Sequence, residues 1–144
     1  MPRLYGRARL SAQLIWASEI EEVVSTETSS AGGKGSSLSG GSTTTTTYSY
    51  YASFAVGLCE GPATWIGRIW ADGRELDLQG LNLRSYLGGE GQTPDPLIAA
   101  LEGEGAPAYR GLTYLVFERL PLADFGNRLP QLSVEVERAV GALE

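Results

Sequence analysis

Two long segments of this chain alternate apolar and polar residues with a period of two. In residues 8–24 one set of alternate positions is apolar: Leu10, Ala12, Leu14 and Trp16. In residues 43–60 one face would carry Tyr48, Tyr50, Ala52, Phe54, Val56 and Leu58. A period of two is typical of a β-strand with one buried face. We therefore predict two long strands, the second with Phe54, Val56 and Leu58 in the core.

The segment between these strands has a different composition. Residues 28–42 contain 11 Gly or Ser among 15 positions, and Leu38 is the one large apolar side chain. Such a segment buries too little apolar surface to offset the entropy cost of ordering it. Five threonines at 43–47 follow, and β-branched residues favour strands. The sequence predicts a flexible hairpin tip at 28–42 and a threonine-rich extension of the second strand.

The rest of the chain predicts short strands and one helix. Alternating segments indicate strands at 65–70, 81–87, 112–120 and 129–138, with a turn at 124–127. The pair Asp72-Gly73 is typical of a hairpin turn that returns the chain through Leu76. Asp95 can cap a helix over 97–101, where Pro96 fits the first position and Gly103 ends it.

These elements amount to six or seven strands and one short helix, in a chain with 19 Gly and 7 Pro among 144 residues. We predict a mainly β fold, a β-sandwich or a partly open barrel, with the helix on its flank. Residues 1–144 are expected to form a single domain excised from a longer protein.

Composition excludes several classes of function. The net charge is −6 and the 11 basic residues are scattered, whereas nucleic-acid binding depends on clustered Lys and Arg. No window approaches the roughly 20 apolar residues of a membrane-spanning helix. We therefore predict no specific nucleic-acid partner and no membrane span.

Residues for cofactor and nucleophilic chemistry are also missing. The chain has no histidine, which removes the commonest general base and zinc ligand. Its one cysteine, Cys59, ends an apolar strand and is predicted to be a buried small hydrophobe. Gly32-Gly33-Lys34-Gly35 departs from a phosphate-binding loop, because Thr28 occupies the first glycine position and Gly35 follows the lysine. We predict no cofactor and no metal.

Two alternatives remain open from the residues alone. Paired carboxylates can hydrolyse glycosides without histidine, and the available acids include Glu60, Asp72, Asp77, Asp95, Glu118 and Asp124. Their spacing along the chain does not indicate which two carboxylates would face each other across a substrate. Aromatic residues could instead stack on sugars in a glycan-binding module, although they more often lie in a core or a protein interface: Trp16, Trp65, Trp70, Tyr48, Tyr50 and Tyr51.

Seven short strings, in order along nearly the whole chain, carry a family resemblance. They are Pro2–Gly6, Gly32–Gly35, Tyr48–Tyr50, Leu58–Pro62, Ile66–Gly73, Pro107–Gly111 and Phe125–Pro130. Together they resemble the N-terminal region of the large tail-tip (baseplate hub) protein of gene transfer agents and related siphophages. The Cys-Glu-Gly segment at 59–61 and the hairpin after it are more distantly similar to the tip protein of lambda-like tails.

The resemblance implies a hub domain related in fold to tail-tube proteins, placed in a ring at the distal end of a tail. The family's proteins are longer, form trimers, and carry a glycosidase-like region in parts that this chain lacks. The implied location is the virion tail tip, after synthesis in the bacterial cytoplasm. The implied partners are other tail-tip and tail-tube proteins and further copies of the chain.

We therefore predict a structural protein of a phage or gene-transfer-agent tail tip, with no enzymatic activity. The alternative is a glycan-binding β module. A hairpin with a flexible tip can become ordered against a neighbouring subunit. The predicted assembly interface is accordingly formed by Gly32, Gly33, Lys34, Gly35, Thr43, Thr44, Thr45, Thr46 and Thr47.

Overall fold

A computed structural model describes residues 4–30 and 42–138 of the chain. Within these ranges it contains nine strands: β1 (Gly6–Ser11), β2 (Gln13–Ala17), β3 (Glu21–Ser30), β4 (Ser42–Glu60), β5 (Trp65–Ala71), β6 (Arg74–Glu75), β7 (Asn82–Tyr86), β8 (Leu112–Pro121) and β9 (Leu132–Arg138). The helix α1 spans Pro96–Glu102, and single 3₁₀ turns cover Gly103–Gly105 and Ala123–Phe125.

The strands form two antiparallel sheets. Sheet A has the order β1-β9-β5-β6, and sheet B has the order β2-β4-β8-β7. Strand β3 pairs with the part of β4 that β2 leaves free. The predicted mainly β class is confirmed, and the arrangement is that of a β-sandwich. The one α-helix in the described ranges is far too short to cross a membrane.

The main core lies between the two sheets. Sheet B contributes Phe54, Val56 and Leu58, which confirms the predicted buried face of this strand. Phe54 stacks on Phe117 of β8 with ring centroids 5.0 Å apart. Sheet A contributes further buried aliphatic residues from β5 and β9: Ile69, Val134 and Val136.

The other face of sheet B is buried as well. Ile98 of α1 packs on Ala55 of β4 and on Tyr114 and Val116 of β8. Consequently β4 is buried on both faces from Phe54 to Cys59, although alternation alone predicted one buried face. Cys59 is fully buried as predicted, and desolvation raises the pKa of its thiol.

Two local predictions are confirmed in detail. The side chain of Asp95 accepts hydrogen bonds from the amides of Leu97 (3.0 Å) and Ile98 (3.4 Å), and so caps α1. Asp72 and Gly73 have φ values of 50° and 85°, the left-handed conformations that a tight hairpin between β5 and β6 requires.

The prediction of one strand over residues 8–24 is wrong. The chain changes sheets at Ala12: β1 pairs with β9 in sheet A, whereas β2 pairs with β4 in sheet B. The Ala12 amide donates to Leu132 O (2.9 Å) at the crossover. A third strand, β3, begins at Glu21. Ala8, Leu10 and Ala12 pack on the main core, whereas Ile15 and Trp16 pack on the cluster around Ile98. The apolar alternation of residues 10–16 runs across this change without interruption, so periodicity could not reveal the break.

Candidate functional site

Strands β3 and β4 form a two-stranded ribbon that extends beyond the sandwich. Their register runs from Glu21 opposite Tyr51 to Ser30 opposite Ser42. The predicted interface residues Thr43–Thr47 lie in this ribbon opposite Ser29–Ser25, and their side chains are exposed. The other predicted interface residues, Gly32, Gly33, Lys34 and Gly35, lie outside the described residues.

Strands β3 and β4 extend into the segment that was predicted to be a flexible tip. Thr28, Ser29 and Ser30 pair with Thr44, Thr43 and Ser42, so these ends of the predicted flexible segment 28–42 belong to the ribbon. Backbone pairing extends the hairpin there despite its Gly/Ser-rich composition. Residues 31–41 lie outside the part of the chain that the structure describes.

The edge of β4 in the ribbon is open. Strand β8 begins to pair with β4 at Tyr51, opposite Pro121, and the Leu122 amide donates to Tyr50 O (2.9 Å). Beyond this point, and among the described residues, no strand covers the edge of β4 from Thr43 to Ser49. An uncovered strand edge presents N–H and C=O groups that can pair with another chain.

The two strands of the ribbon differ in charge. Strand β3 carries Glu21, Glu22 and Glu27, whereas residues 42–50 of β4 include no charged residue and no proline. Charges and prolines are the usual protection against edge-to-edge pairing. The threonine edge of β4 lacks this protection and is therefore the edge suited to strand addition.

Arg119 fixes the base of the ribbon. It lies at an irregularity in the pairing of β4 with β8, with φ at 55°. Its Nε donates to Glu21 Oε1 (2.7 Å), its Nη2 donates to Oε2 (3.2 Å), and its guanidinium lies 4.5 Å from the ring centroid of Tyr51. The hydrogen bond to Glu21 raises the pKa of Arg119. Sequence analysis missed this contact, because the two residues are 98 positions apart.

A second polar cluster holds α1 on sheet B. The fully buried carboxylate of Asp95 accepts two hydrogen bonds from Arg84 of β7, at 2.7 and 2.8 Å, and one from the Tyr86 hydroxyl. Arg84 also donates to Glu118 (2.9 Å). Burial favours a higher pKa for Asp95, but the hydrogen bonds from Arg84 and Tyr86 outweigh it and hold the pKa below its usual value.

Tyr114 lies beside this cluster. Its ring stacks on Tyr86 with centroids 4.6 Å apart and meets Tyr109 edge-on at 5.1 Å. Its hydroxyl is buried without a hydrogen-bond partner in the described part of the chain, and burial raises its pKa. The aromatic stack and the Asp95 ion pair together attach α1 and β7 to β8.

The remaining candidate carboxylates serve turns and ion pairs. Asp72 accepts from the Gln131 amide (2.9 Å) and from Arg128 (3.4 Å), and Asp77 accepts from the Gln79 amide (3.0 Å). Glu60 ends β4, and Asp124 lies exposed in a 3₁₀ turn. Residues 4–30 and 42–138 contain no group of three acidic or cysteine side chains placed to hold a metal ion.

The tryptophans make contacts within the protein. Trp65 is 39% exposed, yet its indole lies against Gly67, where an added Cβ would be 2.1 Å from Cη2. The guanidinium of Arg7 lies 4.7 Å from the Trp65 ring centroid, and that of Arg9 lies 4.0 Å from the Trp70 ring. Trp16 donates to Glu102 (3.2 Å). This arrangement is expected of structural tryptophans rather than of an open platform for sugars.

Comparison with models of protein families and with curated proteins gave no match. Among solved structures, the chain matches one chain of the virion of a native gene transfer agent particle, with 46% sequence identity and a TM-score of 0.72. The match covers 99% of this chain and 27% of that chain. The sequence and fold described above are therefore similar to about a quarter of a chain from a gene transfer agent virion.

Proposed function

We propose that this chain is a structural component of a virion, located at the tail tip of a gene transfer agent or related siphophage. There it contributes to a hub ring at the distal end of the tail. The observation that carries the proposal is the 46% identity, over 99% of the chain, to a chain of a gene transfer agent virion. The tail-tip position rests on the resemblance of the seven sequence strings to hub proteins.

The ribbon of β3 and β4 supports an assembly role. It exposes an uncovered and uncharged edge of β4 at residues 43–49, in the region predicted as an interface. Strand addition at such an edge gains main-chain hydrogen bonds without needing apolar side chains. We propose that this edge pairs with a neighbouring subunit, either another copy or another tail-tip or tail-tube protein.

The proposed role requires no catalysis, cofactor or metal. Asp95, the most buried of the candidate carboxylates, is bound by Arg84 and caps α1, and the ion pair with Arg84 requires its ionised form. The polar clusters of the described residues thus act within the fold and at the base of the ribbon.

The tail-tip position can be tested by immunogold electron microscopy. A short epitope would be inserted after Gly105, an exposed residue that follows α1, in the gene that encodes the chain. We expect gold particles at the distal end of the tail. Labelling of the capsid, or particles that lack the epitope altogether, would contradict the proposal.

The role of the β4 edge can be tested with matched lysine pairs. Thr44→Lys with Thr46→Lys places two charges on the open edge of β4. Thr28→Lys with Thr26→Lys places the same charges on the directly opposite residues of β3. We expect the β4 pair to prevent tail assembly and the β3 pair to permit it, with similar melting temperatures because all four sites are exposed. Equal assembly by the two variants would exclude the β4 edge as the interface.

A further inference from the structure

A groove of about 840 Å³ lies on sheet A, where Arg7 of β1 and Glu135 of β9 are among its lining residues. One wall is strand β5, from Trp65 to Ile69, and the other is the segment 75–79 that follows the β5–β6 hairpin. Its volume is in the range of protein ligand sites. Because ribbon and groove belong to different sheets, the groove is a second surface that the proposed function does not use.

The edge of β5 along this groove is not covered by a strand. Strand β6 pairs with Trp70 and Ala71 alone, and the Leu76 amide donates to Ile69 O (2.7 Å). From Trp65 to Arg68, no strand in the described ranges lies on the side of β5 that faces away from β9. Main-chain groups at this edge can therefore accept an extended polypeptide.

Apolar side chains flank the uncovered edge. Trp65 on β5 and Leu78 on the opposite wall are each 39% exposed, and Leu76, which packs against the main core, also lines the groove. Most large apolar residues of this domain are more deeply buried. Apolar pockets beside a free strand edge are the usual means by which strand addition gains side-chain specificity.

The charges at the groove favour a basic occupant. Arg7 and Arg68 are already paired with Glu137 (3.2 Å) and Glu135 (3.4 Å). On the opposite wall, Glu75 and Asp77 form no ion pair within the described part of the chain. The charged residues that line the groove are Arg7, Arg68, Glu75, Asp77 and Glu135, which give it a net charge of −1.

We infer that this groove binds an extended, basic segment of another protein by strand addition to the edge of β5. Apolar side chains of the segment contact Trp65 and Leu78, and a lysine or arginine reaches Glu75 and Asp77. A second copy's ribbon does not fit this description. Its strands carry three glutamates and no lysine or arginine in residues 21–30 and 42–50.

The inference can be tested by NMR titration of the 144-residue chain. The probe is a capped seven-residue peptide that alternates valine or isoleucine with lysine or threonine. We expect it to shift the amide signals of residues 65–68 and of Leu78, and to slow hydrogen exchange at the β5 edge. A peptide with glutamate in place of lysine should bind at least tenfold more weakly. A peptide N-methylated at alternate backbone positions should not bind, because it cannot pair with a strand.

Protein variants separate the contribution of the apolar side chain of Leu78 from that of the charges on Glu75 and Asp77. Leu78→Ser should abolish binding, whereas Leu101→Ser, at an exposed leucine of α1, should leave it unchanged. Glu75→Gln combined with Asp77→Asn should remove the preference for lysine over glutamate peptides, and the asparagine can still accept from the Gln79 amide. Unchanged NMR signals elsewhere would show that each variant is folded.

The inference would be overturned by no binding of the lysine peptide, by equal binding of the glutamate peptide, or by shifts that map to β4. A peptide with the sequence of residues 42–48 that binds more tightly than the lysine peptide would identify a second copy as the occupant, and would equally overturn it. Because the titration uses free chain, its outcome is independent of whether the chain is found at a tail tip.

Discussion

Arg84 and Asp95 form a two-pronged ion pair, with Nε 2.7 Å from Oδ1 and Nη2 2.8 Å from Oδ2, and the Asp95 side chain is inaccessible to solvent. The same carboxylate caps α1. One side chain therefore links edge strand β7 to the helix that covers sheet B. The local order of α1 and of β7 should consequently depend on a single charge.

Replacing Asp95 should be strongly destabilising. In Asp95→Ala, Arg84 loses its buried partner and α1 loses its cap, so the free energy of unfolding should fall by about 3–5 kcal/mol. Urea denaturation would measure the change. Asp124→Ala removes an exposed carboxylate from a 3₁₀ turn and serves as the control, with an expected change within about 0.5 kcal/mol. Similar values for the two variants would contradict the role assigned to the ion pair.

The same carboxylate should make stability depend on pH. Its pKa in the folded chain is below the usual value of an aspartate, so the folded state binds its proton less tightly than the unfolded state. The resulting stabilisation is complete above about pH 4 and is lost as the pH falls through the folded pKa. Unfolding of the chain and of Asp95→Asn would be compared between pH 7 and pH 2. The difference in stability between the two should shrink at the acid end; a constant difference would show that another group titrates.

The period-two face of β4 can be tested by replacing one buried residue and one exposed residue. Phe54 is 1% exposed and stacks on Phe117, so Phe54→Ala should cost about 3–5 kcal/mol of unfolding free energy. Tyr48 was predicted on the same face but is 56% exposed on the ribbon, so Tyr48→Ala should change stability little. Thermal melting would compare them. A Phe54→Ala chain that melts within a couple of degrees of the parent would contradict the described core.

Arg119 should control the order of the ribbon more than the stability of the domain. Arg119→Gly removes both the contact with Glu21 and the strain of a non-glycine residue at φ 55°. We expect faster hydrogen exchange at residues 21–24 and little change in melting temperature, because the ion pair is exposed. Arg128→Gly is the control, since Arg128 contacts Asp72 of the β5–β6 turn rather than a residue of the ribbon. Unaltered exchange at residues 21–24 in Arg119→Gly would exclude the proposed clamp.

We expect the chain to have no glycosidase activity and no affinity for zinc. It has no histidine, and Asp95 is held ionised by Arg84, which disfavours its use as a general acid. Digestion of peptidoglycan or chitin would be followed by release of reducing ends, and zinc binding by calorimetry. Digestion that one carboxylate replacement abolishes would establish an enzyme instead.

Local signals account for the parts of the fold that the sequence predicted. The cap at Asp95, the helix stop at Gly103 and the Asp72-Gly73 turn each depend on a few adjacent residues, and all three occur in the structure. The change of sheet at Ala12 depends on which distant strand each half contacts, and alternation contains no such information.

The candidate site also combines features that the local sequence predicts with contacts that only the fold creates. Exposed threonines at 43–47 were predicted from composition, whereas the open edge of β4 depends on where β8 ends. Arg119 and Glu21 are ordinary polar residues in the sequence, and the fold alone brings their charges within 2.7 Å. The pair of Arg84 and Asp95 is likewise a tertiary contact between a strand and a helix cap.

The burial of Cys59 has a practical consequence for spectroscopy. It is the one cysteine of the chain, it is fully buried, and its thiol pKa is raised, so it should react slowly with maleimides in the native state. A cysteine introduced on the ribbon, for example by Thr45→Cys, would then be the preferred site for a fluorophore or spin label. The native sequence is thus nearly a single-label background, in which probe distances between neighbouring copies could be measured without first removing a core residue.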